Sequence, residues 1–124
     1  MAGQNLTGLP RFKAAFFNSI KGCKATWRHE EAFRLEVCLF LIGTPFGLWF
    51  GQTGVERALL VGSLIFVMIV ELLNTGIEIV VDRISFERHE LSGRAKDVGS
   101  AAVMFSLALA GLIWGLILIP LMGS

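Results

Sequence analysis

Four polar side chains interrupt an apolar stretch of the sequence and are its strongest candidates for chemistry. The stretch VELLNTGIEIVVDRI, residues 70–84, contains Glu71, Asn74, Glu78 and Asp82. At about 100° per residue of an α-helix, these four positions fall within one stripe about 80° wide. The stripe predicts a functional site. The alternative is that these side chains only form hydrogen bonds that hold neighbouring helices together. An amide alone could do so, but the carboxylates beside it also require cations or protons.

Oxygen ligands of this kind favour Mg²⁺ as the bound cation. Glu78 and Asp82, together with Glu30 or Glu31, are the candidate ligands. Mg²⁺ takes one or two carboxylates and shares the rest of its coordination shell with water and substrate phosphates. A nucleotide is therefore a candidate partner, although neither GxxxxGK[ST] nor GxGxxG occurs.

The candidate nucleotide site is ERHELSGRAKD, residues 87–97. Arg94 and Lys96 would supply charge for phosphate groups, and Gly93 would let the backbone approach a ligand. A short basic loop of this kind is also typical of a segment that only fixes membrane topology.

The composition indicates the class of protein that must position these residues. The 124 residues are 54% hydrophobic, with a mean hydropathy of +0.67, which favours a membrane protein over a soluble domain. The net charge of +1 argues against a nucleic-acid-binding protein. Cys23 and Cys38 have no metal-binding or disulfide spacing, and the opening MAGQNLTGLP does not read as a cleaved signal peptide.

The hydropathy pattern predicts an all-α membrane protein with one amphipathic surface helix and three transmembrane helices. A single membrane domain, 1–124, is divided into a surface helix, three spans and a cytoplasmic loop. In chain order these are 10–30, the first span 32–51, the second span 57–81 continuing to about 85, the loop 86–97, and the third span 98–121. A soluble partner-binding helix is the alternative for the first segment.

The distribution of basic residues predicts the orientation. Ten of the eleven Lys and Arg lie within 11–34, up to the start of the first span, or within 82–97, and the exception is Arg57. The N-terminus and the 86–97 loop are therefore expected in the cytoplasm, and the C-terminus outside. Three short spans in a 13.6 kDa chain cannot enclose the substrates of such a site, so an oligomer is expected.

Three segments closely resemble the bacterial integral-membrane diacylglycerol kinase family. They are KGCKATWRHEEAFRLE, residues 21–36, MIVELLNTGIEIVVDRI, residues 68–84, and ERHELSGRAKDVGSAAV, residues 87–103. The resemblance covers about residues 11–103. It implies a homotrimeric bundle in the bacterial inner membrane, with sites between subunits, that phosphorylates diacylglycerol with MgATP.

The resemblance also implies roles for individual residues. Glu71 is the expected general base, and Glu30 and Glu78 are expected to hold the metal of the ATP complex. The implied ATP-binding residues are Arg11, Asn18, Glu30, Glu78, Glu87, Arg88, His89, Lys96 and Asp97. The implied substrate-binding residues are Arg11, Glu71, Asn74 and Ser100. As aligned, Asn18 and Ile20 stand where the best-known member has aromatic residues.

Two other functions stay open at the level of the sequence. The first is undecaprenol kinase activity, which also occurs in the family. The second is a proton or cation conduit in which the carboxylates of the second span act as relay sites. A conduit has no need for the phosphate-binding groups of residues 87–97.

Overall fold

The structure is a computed structural model that describes residues 5–123, and it consists of four α-helices. In chain order they are α1 (Gly8–His29), α2 (Glu31–Phe50), α3 (Gly54–Ile84) and α4 (Glu90–Met122). The predicted all-α architecture is confirmed.

Three of these helices, α2, α3 and α4, are long and apolar enough to cross a membrane. The prediction of three spans is thereby confirmed. At 1.5 Å per residue, α3 and α4 are about 46 and 50 Å long, whereas a hydrocarbon core is about 30 Å thick. Each helix therefore has turns that extend beyond the apolar layer.

The connection between α3 and α4 is shorter than the predicted loop 86–97. Only residues 85–89 are non-helical, because α4 begins at Glu90 rather than near 98. His89 Nδ1 accepts a hydrogen bond from the Leu91 amide at 3.1 Å, and Arg94 pairs with Glu90 at 3.2 Å one turn later. Hydropathy detects the lipid-compatible part of a helix, so it missed these charged first turns. The other predicted helix ends lie within about three residues of those observed.

A bend at Glu30 separates α1 from α2. Glu30 has extended backbone angles (φ −120°, ψ 110°). The Arg34 guanidinium in the first turn of α2 donates hydrogen bonds to the carbonyls of Trp27 and Arg28, at 2.8 and 3.3 Å. These carbonyls belong to the end of α1 and have no partner within that helix. Arg34 therefore attaches α1 to α2 next to Glu30.

Helix α3 lies between α2 and α4 and packs closely against both. A Cβ atom at Gly47 would lie 3.1 Å from the Leu60 Cβ, so the backbones of α2 and α3 approach here because no side chain intervenes. From α4, the Trp114 indole N–H lies 3.0 Å from the Leu60 carbonyl and 3.1 Å from Ser63 Oγ. We call this group the apolar clamp: Gly43, Gly47, Leu60, Ser63, Leu64 and Trp114.

Candidate active site

The polar stripe of α3 faces the interior of the helix bundle at its deeper positions. Glu71 and Asn74 are 4% and 8% exposed, and Glu78 and Asp82 are partly buried. Asn74 Nδ2 donates a hydrogen bond to Glu78 Oε1 at 3.1 Å, as the four-residue spacing allows. Because α3 is apolar around its remaining circumference, burying this face places the carboxylates against protein rather than lipid.

Acidic side chains from three parts of the chain surround Glu71. Glu30 at the α1–α2 bend and Glu78 on α3 both interact electrostatically with Glu71, and Glu36 of α2 does so as well. We call Glu30, Glu36, Glu71 and Glu78 the acidic cluster. Within residues 5–123 the ion pairs are Arg94–Glu90 and Lys96–Asp82, so no member of the cluster forms an ion pair there, and the cation that interacts with it at longer range is Lys96, through Glu78. A positive ligand or bound protons must compensate its charge.

The cluster suits a cation that completes its shell with other oxygen atoms. In the described part of the chain, no three acidic, histidine or cysteine side chains converge closely enough to hold a metal ion by themselves. Glu30 and Glu78 nevertheless both interact electrostatically with Glu71. A pair of carboxylates is the number that Mg²⁺ takes when substrate phosphates and water supply its remaining ligands.

A cavity with both basic and acidic side chains in its wall, which we call the polar cavity, lies at the end of α3 that carries Asp82. Lys96 Nζ of α4 pairs with Asp82 Oδ1 at 2.7 Å and joins the two helices there. The adjoining cavity of about 250 Å³ is bounded by the 85–89 connection and the first turns of α4. Of the predicted nucleotide contacts, its lining contains Glu87, Arg88, His89 and Lys96. Cationic side chains in a small cavity next to carboxylates provide a site for a phosphate chain with its metal.

A second cavity approaches the acidic cluster from the side of α1. It has a volume of about 480 Å³, and its lining is mainly apolar. Its wall includes Glu30 on one side and Thr75 and Gly76 of α3 on the other. An apolar molecule with a polar head could therefore reach the acidic cluster between α1 and α3.

Several predicted site residues do not join these cavities within one chain. Arg11 and Asn18 are exposed on α1, and Arg11 precedes Glu30 by 19 residues, about 28 Å along the helix. Asp97 and Ser100 are exposed on α4 and line neither cavity.

Three residues near the site were missed as site residues by the sequence reasoning. Glu36 and Thr75 are 8% and 4% exposed, and Glu36 Oε2 and Thr75 Oγ1 have no hydrogen-bond partner in residues 5–123. A Cβ atom at Gly99 would overlap the Asn74 carboxamide, so α4 approaches the site because this residue has no side chain. Glu36 had a usable signal, since it is an ionisable residue inside a predicted span.

Comparisons with known proteins agree with the resemblance seen in the sequence. The family model described as prokaryotic diacylglycerol kinase matches residues 17–118. The chain is 46% identical to a diacylglycerol kinase of Haemophilus influenzae over 112 residues, 90% of this chain and 95% of that protein. It is 46% identical to the diacylglycerol kinase of Escherichia coli K12 over 114 residues, covering 92% and 93%.

A more distant relative spans the same region. The chain is 37% identical to a diacylglycerol kinase of Helicobacter pylori over 114 residues, 92% of this chain and 89% of that protein. The match therefore includes all four helices rather than an isolated motif. This chain belongs to the prokaryotic diacylglycerol kinase family.

Proposed function

We propose that this protein transfers the γ-phosphoryl group of MgATP to the hydroxyl of 1,2-diacylglycerol, giving phosphatidic acid and ADP. The observation that carries the proposal is the position of buried Glu71. It lies in an acidic cluster in which Glu30 lines an apolar cavity beside α1, and α3 extends from the cluster to Asp82 at the polar cavity. A lipid alcohol and a nucleotide could each reach this cluster from its own side.

Glu71 acts as the general base. It accepts the proton of the lipid hydroxyl while that oxygen forms a bond to the γ-phosphorus, and the bond between the γ-phosphorus and the bridging oxygen of ADP breaks. Such transfers have a loose transition state, so the protein mainly orients the reactants and compensates charge. Asn74 fixes the neighbouring Glu78 carboxylate through their hydrogen bond.

MgATP enters as one substrate. Glu30 and Glu78 hold its metal ion, which would neutralise phosphate charge in the bound complex. Lys96 and the residues around the polar cavity hold the phosphate chain and the nucleoside. The proposed ATP contacts are Arg11, Asn18, Glu87, Arg88, His89, Lys96 and Asp97. The proposed lipid-side contacts are Arg11, Asn74 and Ser100.

We propose that the active form is a homotrimer in the bacterial inner membrane. Asp82, which pairs with Lys96, follows Glu71 by 11 residues, about 16 Å along α3. Asp97, Ser100 and Arg11 are exposed in one chain, so a neighbouring chain is the natural way to bring them to a site. The distribution of Lys and Arg favours a cytoplasmic N-terminus and 85–89 connection, and a periplasmic C-terminus.

Shared sites can be tested by mixing two inactive variants. Glu71→Gln and Lys96→Ala chains, unfolded, mixed and refolded together, should recover part of the parent activity because some sites would combine two intact residues. Each variant refolded alone is the control. An inactive mixture would contradict sites shared between chains.

The reaction itself is tested with purified protein and ATP labelled at the γ-phosphate. One detergent preparation receives diacylglycerol, a second receives undecaprenol, and a third receives no lipid. We expect label in phosphatidic acid. Label only in undecaprenyl phosphate would overturn the substrate assignment. ATP-independent proton or cation flux through liposomes, without lipid phosphorylation, would favour a conduit instead.

A further inference from the structure

The apolar cavity between α1 and α3 has a glycine on each side. On α3 its wall is formed by Leu72, Thr75, Gly76 and Ile79. On α1 its wall includes Ser19, Gly22, Cys23 and Thr26. Both sets have the spacing i, i+3, i+4, i+7, so each forms one face of its helix. A Cβ atom at Gly22 or Gly76 would meet no neighbouring residue within 4 Å, so a side chain at either position would extend into open space on the cavity side.

This cavity has the properties of a binding site for a molecule with an apolar body and a polar head. Its volume of about 480 Å³ is in the usual range for ligand sites. Its wall also contains Glu30 and Thr75, and Thr75 is 4% exposed with no partner for its Oγ1 in residues 5–123. Thr75 follows Glu71 by four residues, so the cavity adjoins the proposed base along one face of α3.

The two candidate lipid substrates differ in width next to the reacting hydroxyl. In 1,2-diacylglycerol, the carbon beside the CH₂OH group carries one ester-linked chain and a second arm that leads to the other chain. Undecaprenol has one chain at this place and no branch. When the hydroxyl of diacylglycerol reaches Glu71, the branch must therefore enter the space between α1 and α3 with it.

We infer that Gly22 and Gly76 determine the lipid specificity of the site. The space that they leave between α1 and α3 admits a lipid alcohol that is branched beside its hydroxyl. A larger side chain at either position would exclude the branch and still admit a single chain. The inference rests on the proposed phosphorylation of a lipid alcohol at Glu71.

Two lipids that differ in the branch test this inference by kinetics. They are 1,2-dioleoylglycerol and ethylene glycol monooleate, which keeps the hydroxyl and the neighbouring ester but lacks the second arm. Gly76→Leu should lower kcat/KM for dioleoylglycerol about 10- to 100-fold relative to that for the monoester, as expected when an apolar pocket loses space for part of a substrate. Gly22→Leu should act similarly, and Gly76→Ala more weakly. The KM for MgATP should stay at the parent value.

Gly62→Leu is the matched control for these variants. Gly62 is also on α3, a Cβ atom there also meets no atom within 4 Å, and Gly62 lines neither the apolar nor the polar cavity. Leucine favours a helix more than glycine does, so Gly62→Leu and Gly76→Leu should both unfold at or above the parent temperature. An equal loss for both lipids in Gly76→Leu, an unchanged ratio, or the same change in Gly62→Leu would overturn the inference.

Labelling of Cys23 tests the same space without turnover. Cys23 is exposed and lines the cavity, and Cys38→Ser leaves it as the one thiol of the chain. Dioleoylglycerol should slow the reaction of Cys23 with N-ethylmaleimide in the parent and in Gly62→Leu. In Gly76→Leu only the monoester should slow it.

The labelling results separate a failure of the inference from a failure of the proposed function. Absence of protection by dioleoylglycerol in the parent, or equal protection in the parent and in Gly76→Leu, would overturn the inference. The expected labelling pattern without transfer of phosphate from ATP to either lipid would support the inference and contradict the proposed function.

Discussion

The acidic cluster and the apolar clamp lie at different levels of α2 and α3 and are built in opposite ways. In the apolar clamp, glycine residues let the backbones approach, and the Trp114 N–H has acceptors on α3. In the acidic cluster, like charges face one another, and the neighbouring atoms Glu36 Oε2, Asn74 Oδ1 and Thr75 Oγ1 have no partner in residues 5–123.

This difference distinguishes polar groups whose partners lie within one chain from polar groups that need a partner from outside it. In the apolar clamp the polar groups have partners within the chain, so its side chains should matter for stability. In the acidic cluster several buried polar groups lack such partners. Because buried polar groups normally have partners, these groups could obtain them from substrates, protons or another chain. Its side chains should therefore matter for turnover more than for folding.

The largest expected effect is that of removing the proposed base. Glu71→Gln should lower kcat about 10²- to 10⁴-fold, the usual contribution of a general base. MgATP binding, measured by titration calorimetry, should be nearly unchanged. Glu56→Gln is the control, because Glu56 is an acid in the first turn of the same helix, far from the cluster. Comparable kcat losses in both variants would contradict the assignment of the base to Glu71.

Removing a proposed metal ligand should act on nucleotide binding instead. Glu78→Gln keeps an acceptor for Asn74 but loses the charge, so the KM for MgATP should rise about 10- to 100-fold, as for damage to a metal site. The KM for diacylglycerol should change little. Initial rates over a matrix of both substrates give these values, and an effect on the lipid KM alone would contradict the assignment.

A methyl group at the contact between α4 and Asn74 should affect both stability and activity. In Gly99→Ala the added Cβ would overlap the Asn74 carboxamide, so the free energy of unfolding should fall by about 1–3 kcal/mol. Gly111→Ala on the same helix meets no atom within 4 Å and is the matched control. Thermal unfolding in detergent and the activity assay provide the readouts, and equal behaviour of the two variants would contradict the contact.

The smallest effect is expected in the apolar clamp. Trp114→Phe removes the indole N–H that faces Leu60 and Ser63, and should lower stability by about 0.5–1 kcal/mol while kcat stays at the parent value. Trp49→Phe is the control, because Trp49 is 82% exposed. A kcat loss in Trp114→Phe without loss of stability would show that the apolar clamp takes part in turnover.

Features with a local sequence signal were predictable. The three spans follow from runs of apolar residues, and the face shared by Glu71, Asn74 and Glu78 follows from helical periodicity. The first turns of α4 were missed, because charged residues at the start of a long helix resemble a loop to a hydropathy pattern.

Features that depend on contacts between distant segments were not predictable. Trp114 and Leu60 are 54 positions apart, and no spacing rule connects them. The electrostatic interaction of Glu36 with Glu71 likewise depends on how α2 packs against α3. The sequence marks Glu36 as an ionisable residue inside a predicted span, but it does not show that Glu71 is its neighbour.

Water and nucleotide access to the acidic row of α3 is the central claim, and cysteine labelling tests it most directly. With Cys23→Ser and Cys38→Ser as background, Glu78→Cys and Val80→Cys place one thiol each on α3, the first at a partly buried and the second at a 59% exposed apolar position. A maleimide that cannot cross membranes should label Cys at 78 from the side of the 85–89 connection. A non-hydrolysable MgATP analogue, supplied well above the raised KM expected when Glu78 is replaced, should slow that labelling. Labelling of position 80 but not 78, or labelling of 78 from the opposite side, would contradict the account.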